Sequence, residues 1–142
     1  MNKMCLTESL IEERLKDVGV QPTLQRISIC KYVLCDADHP SAEEVYTWAE
    51  KNLAKISLAT IYNTLNTLVE AGLLQEFRFP HTDKVIYDNN LEDHYHFLDE
   101  KNQKLYDIPR EDIKVSLDLA KKYKVKTMKV VLTGEVRKDS KN

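Results

Sequence analysis

SLATIYNTLNTLVEAGLL, residues 57–74, changes its hydrophobic period at one glycine. Ahead of Gly72, Ile61, Leu65, Leu68 and Val69 recur at helical spacing, which predicts a helix from Ser57 to Ala71. Ser57 is placed to cap its first turn, and Gly72 stands just past its end, where left-handed backbone is needed. After the glycine the period is two: LLQEFRF (73–79) and KVIYD (84–88) read as strands joined by a turn at Pro80-His81-Thr82-Asp83. Helices followed by a hairpin in this order make a winged helix-turn-helix.

The flanking sequence supplies the other helices. Ser41-Ala42-Glu43-Glu44 has the spacing of a capping box, so a helix should run over 42–52 with Val45, Trp48 and Ala49 inward. Another should start near Thr23, after Pro22, with Leu24, Ile27, Cys30 and Leu34 on its apolar stripe, and end before DADHP (36–40). A first helix is expected over 6–17, with Leu6, Leu10, Ile11 and Leu15 aligned and Gly19 closing it. Downstream, Asn89-Asn90-Leu91-Glu92-Asp93 reads as a hinge. Beyond it HYHFL (94–98), QKLYDI (103–108) and KVKTMKVVLTGEV (124–136) look like strands, with a helix across 110–123 and a frayed tail from Lys138. The fold class is therefore α+β: a winged helix-turn-helix over 1–88, a hinge at 89–93 and a smaller α/β domain over 94–142.

Composition narrows the function classes. A chain of 142 residues with 42% hydrophobic content buries one moderate core or two small ones. No run approaches the roughly 18 apolar residues that span a bilayer, and the N-terminus turns charged too soon for a signal peptide, so a soluble cytoplasmic protein with no membrane partner is expected. The net charge of −2 excludes binding nucleic acid by bulk electrostatics. Residues 1–80 carry 8 Lys/Arg against 11 Asp/Glu, and residues 81–142 carry 13 against 12. Any DNA binding must come from a local patch and specific geometry, doubled by dimerisation. Cysteines at 5, 30 and 35, an odd count without CxxC, suit a reducing compartment and argue against a disulfide framework. Cys30 and Cys35 read as buried thiols pointing in different directions, and Cys5 as exposed and oxidisable.

Two features carry chemistry. On the fourth helix Thr60, Asn63, Thr64 and Thr67 fall opposite the apolar stripe, with no charge between Ser57 and Val69. A merely solvated face would usually carry Glu and Lys, whereas short or rigid uncharged side chains suit a helix entering the major groove. The second is His94-Tyr95-His96: residues two apart on a strand share a face, so both imidazoles can converge on one metal ion. By itself HxH is more often incidental than ligating, but Asp88 ends the preceding strand, Asp107 lies on the next, and His39 sits before the third helix. His81 reads as a plain loop residue, and KKYKVKTMK (121–129) as a solvated helix end and strand face.

With these residues in hand, the chain resembles the ferric uptake regulator family, and within it the peroxide-responsive repressors. The resemblance runs from about Leu15 to Val136 and rests on TLQR (23–26), HPSAEEVY (39–46), SLATIYNTLNTLVEAGLL (57–74), YDNN (87–90), DHYH (93–96) and KLYDI (104–108). It implies a metal-dependent repressor that binds a palindromic double-stranded operator as a homodimer through the second domain, with no catalytic residues. It also implies a regulatory site of His39, Asp88, His94, His96 and Asp107. Three imidazoles and two carboxylates suit five-coordinate Fe(II) or Mn(II), with adventitious Zn(II) admitted. Asp107, where iron-sensing members usually carry Glu, points to the peroxide branch, in which His39 or His94 is oxidised. For DNA, Ser57, Thr60, Tyr62 and Asn63 are assigned to bases and Arg26 to phosphate. Many relatives hold a structural zinc with two CxxC pairs. Here the first pair's positions are Asp99 and Asn102 and no cysteine follows Cys35, so no four-cysteine zinc is expected. Rival readings are a sister regulator sensing iron, manganese or zinc levels without redox chemistry, a non-haem Fe(II) oxygenase using a facial triad, and a metal-free winged-helix module.

Overall fold

A computed structural model describes residues 5–79, 83–116 and 118–138. The chain divides into two compact units, Met1–Leu91 and Glu92–Asn142, with the boundary inside the polar stretch 89–93. Of the turn expected at 80–83, Pro80, His81 and Thr82 lie outside the described residues, as do Leu117 and the end of the tail.

The first unit holds helices α1 (Glu8–Asp17), α2 (Leu24–Lys31), α3 (Ala42–Asn52) and α4 (Leu58–Glu70), then strands β1 (Gln75–Arg78) and β2 (Val85–Asp88). Each helix is started by a hydroxyl that accepts an otherwise unpaired backbone N–H: Thr7, Thr23, Ser41 and Ser57. At Ser41 the capping box is complete, Glu44 returning its carboxylate to the Ser41 N–H. We expect Ser41→Ala to lower stability by about 1 kcal/mol, read from urea unfolding. Gly19 and Gly72 sit at φ +75° and +76°, each one residue past the cap of its helix. The following N–H reaches back, Val20 to Leu15 O and Leu73 to Leu68 O, both at 2.9 Å, a closure that favours glycine in the left-handed position.

The core is the convergence of these helices: Ile11, Leu15, Ile29, Val33, Leu34, Val45, Ala49, Ile61, Leu65 and Leu68 are fully buried, with Leu73, Leu74 and Tyr87 adding the hairpin. Trp48 is only half-buried, its ring stacked on Tyr32 at 4.1 Å. Two expected core leucines are corrected: Leu10 is 42% exposed and Leu24 84% exposed, while Ile29 and Val33 take the places facing the core. Leu24 is the first residue of its helix, ahead of the turns that pack.

Beyond α2 the helix widens into one π-helical turn, Tyr32–Asp36. Widening strands carbonyls, and Asn89 satisfies them: its buried amide donates to Val33 O at 3.0 Å and Leu34 O at 3.2 Å. β1 and β2 pair antiparallel from Gln75 opposite Asp88 to Arg78 opposite Val85, which brings Asp88 to the base of the wing.

Cys30 is the buried thiol and Cys5 the exposed cysteine that the sequence suggests, and Cys35 departs from expectation. Cys35 is not a buried thiol but is bridged to Cys5, while Cys30 is free in the core, where burial pushes its thiol up to about 12. Helical spacing does separate Cys30 from Cys35. The partner that sequence spacing could not reveal is brought from 30 residues away by α1 packing on α2.

The second unit is a three-stranded sheet of β3 (His94–Asp99), β4 (Lys104–Pro109) and β5 (Val131–Gly134) in the order β4-β3-β5. β3 runs antiparallel to β4 and parallel to β5. The helix expected over 110–123 does not form: the described residues there hold only short 3-10 turns at Arg110–Asp112 and Asp118–Lys121. Val115, Leu119 and Tyr123 are exposed, so no apolar face is buried to offset the cost of nucleation. The strand expected over 124–136 is likewise confined to 131–134, where it meets β3, and Val125 is exposed along with Lys124 and Lys126.

Candidate metal centre and nucleic-acid interface

In the second unit, register determines which side chains meet. His96 lies directly opposite Asp107, and His94 is two residues back on the same face of β3. The two Nε2 atoms approach to 3.1 Å, and Asp107 Oδ1 is 3.3 Å from His94 Nε2 and 3.6 Å from His96 Nε2. Ligand atoms about 2.1 Å from a shared metal at tetrahedral to octahedral angles stand about 3.0–3.5 Å apart. The donor set therefore fits a divalent cation on both chemistry and spacing. His94 Nδ1 bonds the Glu92 carbonyl, which fixes the ring and directs Nε2 toward Asp107. No sequence signal pointed to that backbone partner.

The first unit carries a second pair. His39 is at φ +46°, a left-handed conformation unusual for a side-chain-bearing residue and a form of strain that clusters at functional sites. Its Nε2 is 3.5 Å from Asp88 Oδ2, and its Nδ1 is held by Asp38 at 2.7 Å. Asp88 is oriented in turn, its Oδ1 accepting the Asn90 N–H at 2.9 Å. The Tyr87 N–H donates to Pro40 O at 2.9 Å, tying the wing to the loop that carries His39. Asp38 was missed in the sequence because a carboxylate beside its own histidine has no diagnostic spacing.

Asp99 and Asn102 bond to each other at the β3–β4 turn. The buried Asp99 carboxylate accepts from Lys101 N at 2.9 Å, Asn102 N at 3.2 Å and Asn102 Nδ2 at 3.1 Å. An Asp-anchored turn thus closes the hairpin.

The assigned DNA residues lie on α4 and near the start of α2. Tyr62 and Asn63 are exposed on α4. The Tyr62 hydroxyl donates to Glu43 Oε1 at 3.0 Å, and that bond, with partial burial and the carboxylate's charge, raises the phenol above its ordinary range. Thr60 is half-exposed, its hydroxyl 3.0 Å from the capping Ser57 Oγ. Thr64 is corrected: it is 1% exposed and its hydroxyl donates to Thr60 O. Arg26 spends one N–H on Gln21 O at 2.9 Å and, with five donors in all, keeps others for an oxygen pair. Gln25, overlooked in the sequence, donates to Lys55 O at 3.1 Å and so ties α2 to the loop entering α4.

The ferric uptake regulator family pattern matches residues 17–134. This chain belongs to the ferric uptake regulator family. Over 93 residues it is 34% identical to the peroxide-responsive repressor PerR of Staphylococcus epidermidis, a match covering 66% of this chain and 61% of that protein. The chain thus spans about three-fifths of the length of the curated relatives it matches, 61% and 62% for the first two. Among solved structures, the Vibrio cholerae ferric uptake regulator Fur superposes with a TM-score of 0.68 at 25% identity, over 89% of this chain and 99% of that one. PerR from Streptococcus pyogenes superposes with a TM-score of 0.53 at 25% identity, over 96% and 95%. The α+β class and the winged-helix first unit expected from the sequence are those of the family. No helix among the described residues is long and apolar enough to cross a membrane.

Proposed function

We propose that this member of the family is a metal-dependent, DNA-binding transcriptional repressor, cytoplasmic and not an enzyme, that responds to peroxide. The observation carrying the proposal is the convergence of His94, His96 and Asp107, whose Nε2 and Oδ1 atoms lie 3.1–3.6 Å from one another, about the separation of two ligands on a shared metal. His39 and Asp88 are proposed as the remaining ligands, contributed by the DNA-binding unit. An ion satisfied by ligands from both units would favour one arrangement of the two over others, and that preference couples metal to DNA affinity. The nitrogen and oxygen donors suit Fe(II) or Mn(II), with Zn(II) entering adventitiously on intrinsic affinity.

A homodimer on a palindromic operator completes the proposal. The exposed Val115, Leu119, Tyr123, Val125 and Leu132 of the second unit support a partner surface there. In the operator complex Tyr62, Asn63, Thr60 and Ser57 meet base edges and Arg26 a phosphate. Tyr62→Ala should relax discrimination between sites, and Arg26→Ala should weaken binding to all sequences and flatten its salt dependence, both read by fluorescence anisotropy.

Peroxide sensing rests on the likeness to the staphylococcal repressor and on Asp107. Fe(II), if held by these residues, would supply the electrons that reduce hydrogen peroxide beside the imidazoles. His94, with Nδ1 held by Glu92, and His39, with Nδ1 held by Asp38, present their rings to that chemistry. The test is mass spectrometry of Fe(II)-loaded and Mn(II)-loaded protein after a brief peroxide pulse. One oxygen gained on His39 or His94 with iron alone, together with release of DNA, is the expected result. No adduct with either metal would make the protein a metal-level regulator without peroxide chemistry.

A further inference from the structure

The Cys5–Cys35 bridge stands apart from the histidine and aspartate groups. Cys5 is exposed, two residues ahead of the Thr7 cap, and Cys35 is half-buried in the π-helical turn, the two Cα atoms 4.7 Å apart across 30 residues of sequence. Cys30 takes no part: it is buried, and a thiol pushed up to about 12 holds almost no thiolate at neutral pH. The pair is therefore isolated from the one thiol that could shuffle with it, while remaining open to small thiols from solvent. Its location has a consequence. The turn carrying Cys35 is the one whose carbonyls the Asn89 amide satisfies, and His39 follows it by four residues. The bridge thus ties the leading segment of the chain to the backbone that presents His39.

We infer that Cys5 and Cys35 are a reversible dithiol–disulfide site that equilibrates with low-molecular-weight disulfides of the glutathione class. The thiolate of Cys5, the more exposed, attacks one sulfur of the small disulfide. That S–S bond breaks, a mixed disulfide forms on Cys5, and one small thiolate leaves. The Cys35 thiolate then attacks Cys5 Sγ, forming the protein bridge and expelling the second small thiolate. Two protein thiols are oxidised, one small disulfide is reduced to two thiols, and the protons lost by the cysteines pass to the leaving thiolates. Reduction follows the same path backwards.

The experiment equilibrates the full chain, loaded with Mn(II) so that no iron chemistry intervenes, in buffers of graded reduced and oxidised glutathione. Acid quenching, alkylation under denaturing conditions and peptide mass mapping follow. In the most reducing buffer all three cysteines should be alkylated. In the most oxidising one only Cys30 should be, with a Cys5–Cys35 cross-link lighter by two hydrogen atoms and a single two-electron transition between. Cys5→Ser and Cys35→Ser should each abolish the cross-link, and Cys30→Ala should leave the transition in place. Hydrogen exchange over residues 32–39 should be slower in the oxidised protein. Absence of the cross-link at every poise, a bridge to Cys30 or between two chains, or a bridge that survives the most reducing buffer would each overturn the inference.

Discussion

His96→Ala is expected to weaken Mn(II) binding at least about 100-fold, a loss of about 2.7 kcal/mol, and to abolish metal-dependent DNA binding with it. His96 is 8% exposed, faces Asp107 across the β3–β4 ladder and places its Nε2 3.1 Å from that of His94. Removing groups that merely orient ligands typically lowers affinity about 10- to 100-fold, so deleting a ligand should reach the upper end or beyond. The strand pairing itself runs through backbone groups that the substitution leaves intact, and the circular dichroism spectrum should be unchanged. Isothermal titration with Mn(II) decides it. An unaltered affinity in a folded His96→Ala protein would remove His96 from the ligand set.

Leu65→Ala should unfold the first unit more readily by about 2–5 kcal/mol. Leu65 has no exposed surface and sits on α4 among the residues that join the four helices. Truncation removes apolar burial and leaves a cavity that rigid helices on every side cannot close. Against a total stability of about 5–15 kcal/mol that is a large share. Trp48, the single tryptophan, stacks on Tyr32 in the same unit and reports the transition by fluorescence during urea unfolding. Leu65→Met, which keeps the volume, should lose less than about 1.5 kcal/mol. A comparable midpoint for Leu65→Ala and the parent would mean that α4 is not the keystone of this core.

Much of the first unit was legible because its signals are local. Thr23, Ser41 and Ser57 cap the helices that their spacing forecast, and Gly72 takes the positive φ that marks the change from helix to strand. Thr64 could have been read correctly: it lies three residues after Ile61 and four before Leu68, which places it on the buried stripe, and its hydroxyl is accommodated by bonding the preceding turn. The remainder depended on distance. The Cys5–Cys35 bridge and the Asn89 amide that caps the π-helical turn join residues 30 and more than 50 positions apart, which periodicity does not encode. The segment from 110 to 130 failed for another reason. Its helical and strand patterns are real, but Leu119 and Tyr123 find nothing in the described chain to bury them, and pattern without burial does not fix a helix.

Of the candidate site, residue types and strand faces were readable, and orientation was not. The shared face of His94 and His96 follows from a period of two, whereas the register that sets His96 opposite Asp107 is a property of the strand pairing that the period does not encode. What aims the rings, Asp38 on His39 and the Glu92 carbonyl on His94, comes from neighbours with no motif of their own. The bond from Tyr62 to Glu43 is of the same kind, joining two helices whose sequences carry no sign of the pairing.

Control of DNA binding by the metal is read by fluorescence anisotropy of the protein on a palindromic operator fragment, titrated with Mn(II) and then with a chelator, beside the Asp107→Ala protein. Tight binding should appear with the metal, disappear with the chelator and never develop in Asp107→Ala. Equal affinity with and without metal, in both proteins, would contradict such control.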